Sequence, residues 1–450
     1  VKGRIDPTLQ HSLADRVILN AGKNKFRLPH DRGCRYLQIN LTSAVTLQKV
    51  NWEEHIFPHP QSLPFQSSDK ALTAIWAAAD RTLRQTSLWF YVDNSRRERQ
   101  AWNGTEIINS ARGGFALVGD LALTKKHLQD SLDDAVSADG LIPAKVLGNT
   151  PASWLRAFDG HDLCFPQTCW EYVLHSDDRE FAKPLTKACR RLIDYHGERL
   201  PNGLKPKIGA WAWNEWNLNT GSQVVTSHNL LLVESLQAMM HLYQYLGNEK
   251  KADSMHQQKQ QLTAAIFREL MDEKEGVLCQ GYDKEGNKVP FCSQFDNALA
   301  LYLEAVPTDK VRQFHDFCSG PSGTWPTNRS GYQGASIGEE IRHTPERMVV
   351  AGTPHGSLIA AKAITKVESP QAAIDYLRYN FGAMIDEGFG TLWEIWAFHR
   401  VRQHSTSASQ GWGTAVAYYI LQMGLGAEIM KPGGREILWQ PMRINHSQMT

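Results

Sequence analysis

The chain predicts a mainly α fold in which about six helical hairpins close into a toroid, with short β-rich stretches at both ends. Three observations carry this. From Ser67 onward, apolar residues recur at roughly 3.6-residue spacing in one segment after another. Gly-, Pro- and Asn-rich loops divide those segments into pairs. Before Ser67 the apolar residues alternate at period two, as in a strand with one buried face.

Taken in order, residues 1–66 are expected to be the C-terminal part of a β-sandwich domain plus linker. Arg35-Tyr36-Leu37-Gln38-Ile39-Asn40-Leu41 reads as a strand, and Pro- and His-rich turns follow Ile56. The opening at Val1, without methionine or signal peptide, reads as a start inside a sandwich whose earlier strands are missing, which would expose an unpaired edge. Residues 67–426 form the helical unit. Its first helix carries Ala71, Leu72, Ile75, Trp76, Ala79 and Leu83 on one face. Helical patterns then run over Phe115 to Ala135, Leu163 to Val173, Ala182 to Tyr195, Val225 to Tyr245 and Ala252 to Leu270. Further ones cover Phe295 to Ala305, Val311 to Phe317, Gly356 to Ile364, Pro370 to Phe381 and Thr414 to Leu425. Their period is too irregular for a tandem-repeat solenoid. Residues 427–450 open a C-terminal β domain, with Glu436-Ile437-Leu438-Trp439 as a strand.

Bulk composition excludes several functions. With 48 basic and 47 acidic residues the net charge is +1, so neither nucleic acid nor an anionic membrane is an implied partner. No run approaches the ~18 apolar residues of a spanning helix, and a soluble protein of a cytoplasm or periplasm is expected. Seven cysteines without Cys-x-x-Cys spacing indicate neither a zinc site nor a disulfide framework, and Cys164 and Cys169 read as core thiols. No metal or cofactor is expected.

Two segments carry chemistry. Tyr91 to Glu106 (YVDNSRRERQAWNGTE) crowds acids, arginines and a tryptophan into one loop, beside Trp89 and Tyr91. Aromatic faces stack on the C–H faces of sugars while ionic groups bind hydroxyls, so this mixture suits acid–base work on a carbohydrate; a salt-bridged surface loop is the plain alternative. Far along the chain, Glu394 stands between Trp393 and Trp396. Aromatic surroundings desolvate a carboxylate and raise its pKa, which makes Glu394 a candidate general base. Only a closed fold brings these segments together.

On these residues the chain resembles glycoside hydrolase family 78, the inverting α-L-rhamnosidases built on an (α/α)6 barrel. The family's Asp-Cys-Pro-x-Arg-x-Glu-Arg-x-Gly-Trp-x-Gly-Asp signature is similar to Asp93-Asn94-Ser95-Arg96-Arg97-Glu98-Arg99-Gln100-Ala101-Trp102-Asn103-Gly104. The resemblance implies that Glu98 is the general acid, Asp93 a hydroxyl ligand and Trp102 a stacking ring. The family's later Trp-Glu-x-Trp segment, which holds the base, matches Leu392-Trp393-Glu394-Ile395-Trp396, and its Gly-Trp-Ser/Gly-Thr helix start matches Gly411-Trp412-Gly413-Thr414. Arg97, Glu106, Asp162, Trp211, Trp393, Gln410 and Trp412 complete the implied substrate-binding set. The chain departs from the pattern in its recognition residues. Asp93 and Glu98 stand one residue closer than usual, Thr105 replaces an aspartate that Glu106 could supply with a one-residue shift, and Gln410 replaces a histidine. Gly160-His161-Asp162 keeps the aspartate of a Trp-Gly-Asp pattern without the tryptophan; Gly209-Ala210-Trp211 keeps the ring of a Gly-Asp-Trp pattern without the acid.

The implied function is inverting hydrolysis of a terminal α-L-rhamnoside, in a glycoside or polysaccharide, with no other partner implied and the oligomeric state open. An inverting acid and base stand roughly 6.5–9.5 Å apart, leaving room for water. Arg96, Arg97 and Arg99 would depress the Glu98 pKa if they faced it, so burial against tryptophan must dominate. Alternatives are a six-hairpin enzyme with another sugar, a phosphorolytic relative, or a non-catalytic carbohydrate binder. Glu387 is a second base candidate; Trp211, Trp213 and Trp216 around Glu215 form a possible sugar platform. His355 reads as a capping or packing residue, and Glu339-Glu340 as solvated surface. Of the sequons at Asn40, Asn103, Asn328 and Asn445, a glycan on Asn103 would fill the site, which favours a bacterial origin.

Overall fold

The computed structural model describes residues 16–28, 37–94, 101–134, 141–146, 158–208, 213, 215, 222–320, 323–327, 348–396 and 407–440. Within them lie twelve α-helices: α1 (Lys70–Gln85), α2 (Thr105–Leu117), α3 (Ala122–Asp134), α4 (Phe165–Ser176), α5 (Arg179–Tyr195), α6 (Thr226–Tyr245), α7 (Glu249–Glu269), α8 (Gln294–Tyr302), α9 (Val311–Ser319), α10 (Pro354–Val367), α11 (Pro370–Asp386) and α12 (Ala415–Leu425). Contacts run from α2 to α4, α6, α8, α10 and α12 in turn, and α12 returns to α2, so the even-numbered helices close a ring. The odd-numbered helices lean on its outside, giving the expected six hairpins.

Burial follows this division. Inner helix α6 is buried without a break from Thr226 to Ser235, whereas outer helix α7 buries Ala252, Met255, Leu262, Ala265 and Ile266 on one stripe. Asp69, Asp178, Asn248, Ser293, Thr353 and Ser369 each accept a backbone N–H at a helix start, satisfying a donor that the helix itself cannot. One expectation is corrected. The pattern over Phe115 to Ala135 is two helices, because the chain turns between Leu117 and Ala122, where Gly119 takes φ 62° and ends the right-handed course.

The ring interior is not purely apolar. Each inner helix contributes one polar or aromatic group to a girdle: Arg112, Glu171, Glu234, Tyr302, Lys362 and Tyr419. Arg112 Nε donates to Glu171 Oε2 at 2.9 Å, and its guanidinium lies 5.6 Å from the Tyr419 ring centre. Lys362 Nζ stands 3.9 Å over Tyr302 and 5.3 Å from Tyr419.

Short ladders staple the rim where inner helices begin. β1 (Ala101–Trp102) pairs antiparallel with β2 (Lys145–Val146), and β3 (Val224–Val225) with β4 (Gly281–Tyr282). β5 (Cys292–Ser293) pairs in parallel with β6 (Met348–Val349). β1, β3, β5 and β6 each immediately precede an inner helix.

The ends differ from expectation. Residues 37–41 form no strand; Leu37, Ile39 and Leu41 are exposed, since no neighbouring strand among the described residues offers their backbone a partner. The segment after them docks on the barrel, with Phe57 N–H donating to the Ser87 carbonyl, Leu63 N–H to the Leu117 carbonyl, and Phe65 stacked 4.5 Å from Trp76. Past α12, β7 (Ala427–Lys431) and β8 (Glu436–Trp439) form an antiparallel hairpin that includes the expected strand. The described residues hold no β-sandwich at either end. The six described cysteines are free and buried.

Two measurements follow from this packing. Arg112→Met leaves the buried Glu171 unpaired and should cost about 3–5 kcal/mol in urea unfolding, with most of it recovered in Arg112→Met/Glu171→Met; an equally unstable double mutant would contradict a pairing role. Asp296, in the first turn of α8, is pushed by burial up to about 7, against hydrogen bonds from Ser293 and Ser227. A raised carboxyl favours folding while protonated, so its contribution is complete below about pH 4 and fades as pH rises through 7. Melting temperature between pH 5 and 8 should fall less steeply for Asp296→Asn than for wild type, and parallel profiles would rule this out.

Candidate active site

The two motif segments meet through the backbone. Asn94 bridges antiparallel to Gln410, and Gly411 N–H donates to the Asp93 carbonyl at 2.7 Å. Gln410 N–H donates to the Leu392 carbonyl at 2.9 Å, and Glu394 N–H to the Ser407 carbonyl at 2.9 Å. Trp396 N–H reaches the Gly352 carbonyl, while Gly352 N–H donates to the Glu215 carboxylate at 3.2 Å to either oxygen. Five stretches remote in sequence are thus held at one rim. Glu394 is 2% exposed, and its Oε2 accepts the Ser407 N–H at 2.7 Å. Asp93 is equally buried, and its Oδ2 accepts from Asn94 Nδ2 at 2.6 Å.

Beside them, Trp102, Phe158, Trp213 and Trp412 pack with Ala144 as an apolar cluster separate from the main core. Trp213 stacks on Trp412 with centroids 5.7 Å apart. His161 lies among these rings, 5.6 Å from both Trp102 and Trp213 and 5.0 Å from Phe158. Its Nε2 donates to Glu106 Oε2 at 2.5 Å, and Thr105 Oγ1 donates to the same oxygen at 3.1 Å. Gly104, which begins α2, makes this contact possible: a Cβ there would stand 2.0 Å from His161 Nδ1. Three polar atoms here are buried without a hydrogen-bond partner among the described residues: Trp412 Nε1, Gln410 Oε1 and His161 Nδ1. Such groups call for a ligand or water.

Asn103 is fully buried; its Nδ2 donates to the Pro143 carbonyl, and its Oδ1 accepts from Ser131 and His127. Burial pushes His127 down to about 3, so the ring is a neutral strut. The Asn103 sequon is closed to a glycan in this fold.

Behind the pocket lies a second polar cluster. Lys205 Nζ donates to both Asp159 oxygens at 2.7 and 3.0 Å, and Ile208 N–H donates to Oδ2 at 2.7 Å. Burial alone would push the Asp159 carboxyl up; His228, Lys205 and His196 outweigh it and hold the group well below the usual range. His196 lies between two carboxylates, Nδ1 3.6 Å from Asp159 and Nε2 3.3 Å from Asp162. Asp159, Asp162 and His196 bring ligand atoms within 4.8 Å of one another, a donor set of metal-binding type. Lys205 already places a full positive charge there, and a dication beside it would leave net buried charge at a cost of several kcal/mol. Gly160, at φ 85°, lets this loop approach His228, whose ring a Cβ would meet at 2.4 Å.

Of the residues expected at the site, Asp93, Trp102, Glu106, Glu394, Gln410 and Trp412 come together. Two are corrected. Asp162 is 1% exposed and faces His196 rather than the pocket. Trp393 belongs to the main core, edge-on to Phe389 at 5.8 Å, because consecutive residues diverge in an irregular loop. Glu98, Arg97 and Trp211 lie outside the described residues, as do Trp216 and Glu339-Glu340. Sequence reading missed the His161–Glu106 pair, the wall residue Phe158 and the anchor Asp159. The dense run Phe158-Asp159-Gly160-His161-Asp162 was the available signal. His355, read from sequence as a capping or packing residue, meets Asn109 at 3.0 Å through its Nδ1.

Comparison with known proteins agrees with this architecture. The sequence model of the bacterial alpha-L-rhamnosidase 6 hairpin glycosidase domain matches residues 60–423. No curated protein matches the chain. Among solved structures, the GH78 family rhamnosidase of Bacillus sp. GL1 superposes with a TM-score of 0.74 at 20% identity, over 88% of this chain and 39% of that one. A rhamnosidase from Klebsiella oxytoca with rhamnose bound gives 0.65 at 19% identity, over 81% and 66% respectively. The α-L-rhamnosidase from Dictyoglumus thermophilum gives 0.67 at 16% identity, over 86% and 41%. The chain therefore spans two thirds or less of the length of these relatives. With a family match across most of its length and a closed ring of six helical hairpins, the chain belongs to the bacterial α-L-rhamnosidase six-hairpin glycosidase family.

Proposed function

We propose that the protein is an inverting glycoside hydrolase that releases terminal α-L-rhamnose from a glycoside or polysaccharide. One observation supports this above the others: a buried carboxylate, Glu394, shares one backbone network with the Asp93 segment beside a pocket of four aromatic rings. Rings of that kind take the C–H faces of a sugar, and Asp93, Glu106 and Gln410 offer acceptors for its hydroxyls. The bound rhamnose of the Klebsiella oxytoca neighbour supports the choice of sugar.

In this mechanism Glu98 protonates the glycosidic oxygen as the bond to the anomeric carbon breaks. Glu394 takes a proton from a water that attacks the opposite ring face, so an α-linked substrate yields the β-anomer. The Ser407 N–H holds one Glu394 oxygen in place. A second reading has a specific observation behind it. Thr105 stands where the family pattern carries an aspartate and Gly160 where it carries a tryptophan, while Glu106, one position later, pairs with His161; this altered shell favours a sugar whose hydroxyls differ from those of rhamnose.

Release of p-nitrophenol from the α-L-rhamnoside, against a panel of other aryl glycosides, tests substrate and mechanism together. Glu98→Gln and Glu394→Gln should each lose about 10²–10⁴ in rate, and proton NMR of the first-formed sugar should show the β-anomer. An α-anomer would discard inversion; turnover of another glycoside alone would discard rhamnose. Full activity in either mutant would discard that residue's assignment.

A further inference from the structure

His355 is the second residue of α10, packed among Phe295, Trp213 and Trp412 at centroid distances of 5.7, 5.9 and 6.3 Å. On the reading that this pocket holds a sugar, we propose that His355 is a substrate-contacting hydrogen-bond donor, fixed by Asn109 as the neutral tautomer with its hydrogen on Nε2.

Asn109, on α2, determines the tautomer. Its Nδ2 donates to the Thr105 carbonyl at 2.8 Å and faces His355 Nδ1 at 3.0 Å. Rotating the amide would set its oxygen against the Thr105 carbonyl, two acceptors at hydrogen-bond distance, so the NH2 orientation is forced. An NH2 group has only hydrogens to offer. Nδ1 must therefore accept, and the ring hydrogen resides on Nε2. Protonating Nδ1 would set two donors head to head. The charged groups facing the ring oppose it as well: Arg112 from α2, Lys362 from α10 and His161 from the loop before α4. With burial as the largest effect, the ring is held down to about 3.

Nε2 makes no hydrogen bond to any described residue, and 4% of the residue stays accessible. That N–H, on a ring whose centre lies 6.3 Å from that of Trp412 with its unpartnered Nε1, gives the pocket two donors. Asp93 and Glu106 supply acceptors elsewhere in it. The two donors then select an acceptor, a hydroxyl or ring oxygen of the sugar, and a fixed tautomer presents the same donor across the physiological pH range. A packing residue would need neither the Asn109 contact nor the defined tautomer.

The test uses the whole chain labelled with ¹⁵N-histidine, with L-rhamnose as probe and D-glucose, D-mannose and L-fucose as comparators. Long-range ¹⁵N–¹H spectra at pH 7 should show His355 as the Nε2–H tautomer, with Nε2 shifting when a sugar binds; tryptophan fluorescence reports binding independently. His355→Phe should weaken sugar binding by about 10-fold, and His355→Gln, which restores an N–H donor, should recover most of it. Asn109→Asp should draw a proton onto Nδ1. An Nδ1–H tautomer or an imidazolium in the wild type would overturn the proposal, as would unchanged binding by His355→Phe. A fluorescence response without any Nε2 shift would overturn it too, while leaving the glycosidase reading intact. No response to any sugar, together with no turnover of aryl glycosides, would discard both.

Discussion

The pocket depends on one buried ion pair, Lys205 with Asp159, both fully excluded from solvent. Asp159 is anchored by Lys205 and the Ile208 N–H, and its own carbonyl accepts the Trp213 N–H at 3.0 Å. A single residue thus fixes the loop that carries Phe158 and His161 and the segment that presents Trp213. Phe158 to His161 belong to no helix or strand ladder that would otherwise hold them. Buried charge is a poor source of net stability, because desolvation offsets most of the attraction. Its value here is geometric: with one partner displaced, the other would be left charged in the interior, and alternative loop positions are penalised by several kcal/mol.

The same reasoning extends to the girdle below. Six inner helices surround an axis that apolar side chains could fill, yet Arg112, Glu171, Glu234 and Lys362 lie there with Tyr302 and Tyr419. Arg112 outweighs burial and keeps Glu171 ionised. Burial pushes Glu234 up and Lys362 down to about 7, with Arg112 adding to the effect on Lys362. Charges of both signs contributed by different helices fix which helix stands beside which, a register that interchangeable Leu and Ala contacts specify weakly. The field of Arg112 and Lys362 also reaches His355 at the pocket floor. Scaffold and site share one electrostatic system.

Much of the helical layout was legible because hydrophobic period is a local property. The segments over Ala182 to Tyr195, Val225 to Tyr245 and Ala252 to Leu270 are helices within a few residues of their expected ends. The turn at Gly119 was obscured by apolar residues that continue through it with helical spacing. The alternation at Leu37, Ile39 and Leu41 misled for a different reason: a strand requires a partner, and a pattern cannot supply one. Site residues divide along the same line. Trp412 and Trp393 stand in equally aromatic surroundings in sequence, but only tertiary packing sends one to the pocket and the other to the core. Lys205, among the most deeply buried side chains, has no sequence signal, because its neighbours are ordinary loop residues and its partner is forty-six positions away.

The departures from the family pattern make sense as a pair. Moving a carboxylate from position 105 to 106 rotates it by about 100° around the axis of α2. The family pattern, with an acid at 105 and a tryptophan at 160, combines a hydroxyl ligand with a stacking face. Here Glu106 turns toward position 161, and a histidine there receives it at 2.5 Å. Neither change is favourable alone. Glu106 opposite the family's glycine at 161 would be a buried carboxylate without the imidazole that now meets it, and His161 without Glu106 would leave both ring nitrogens unpartnered among Trp102, Phe158 and Trp213. With Gly160 in place of the tryptophan, they exchange stacking area for a polar floor, which the absence of a Cβ at Gly104 leaves room for. On the proposed glycosidase reading, that exchange acts on sugar recognition and leaves Glu394 and its Ser407 contact untouched, so specificity could change without change in the proposed catalytic pair.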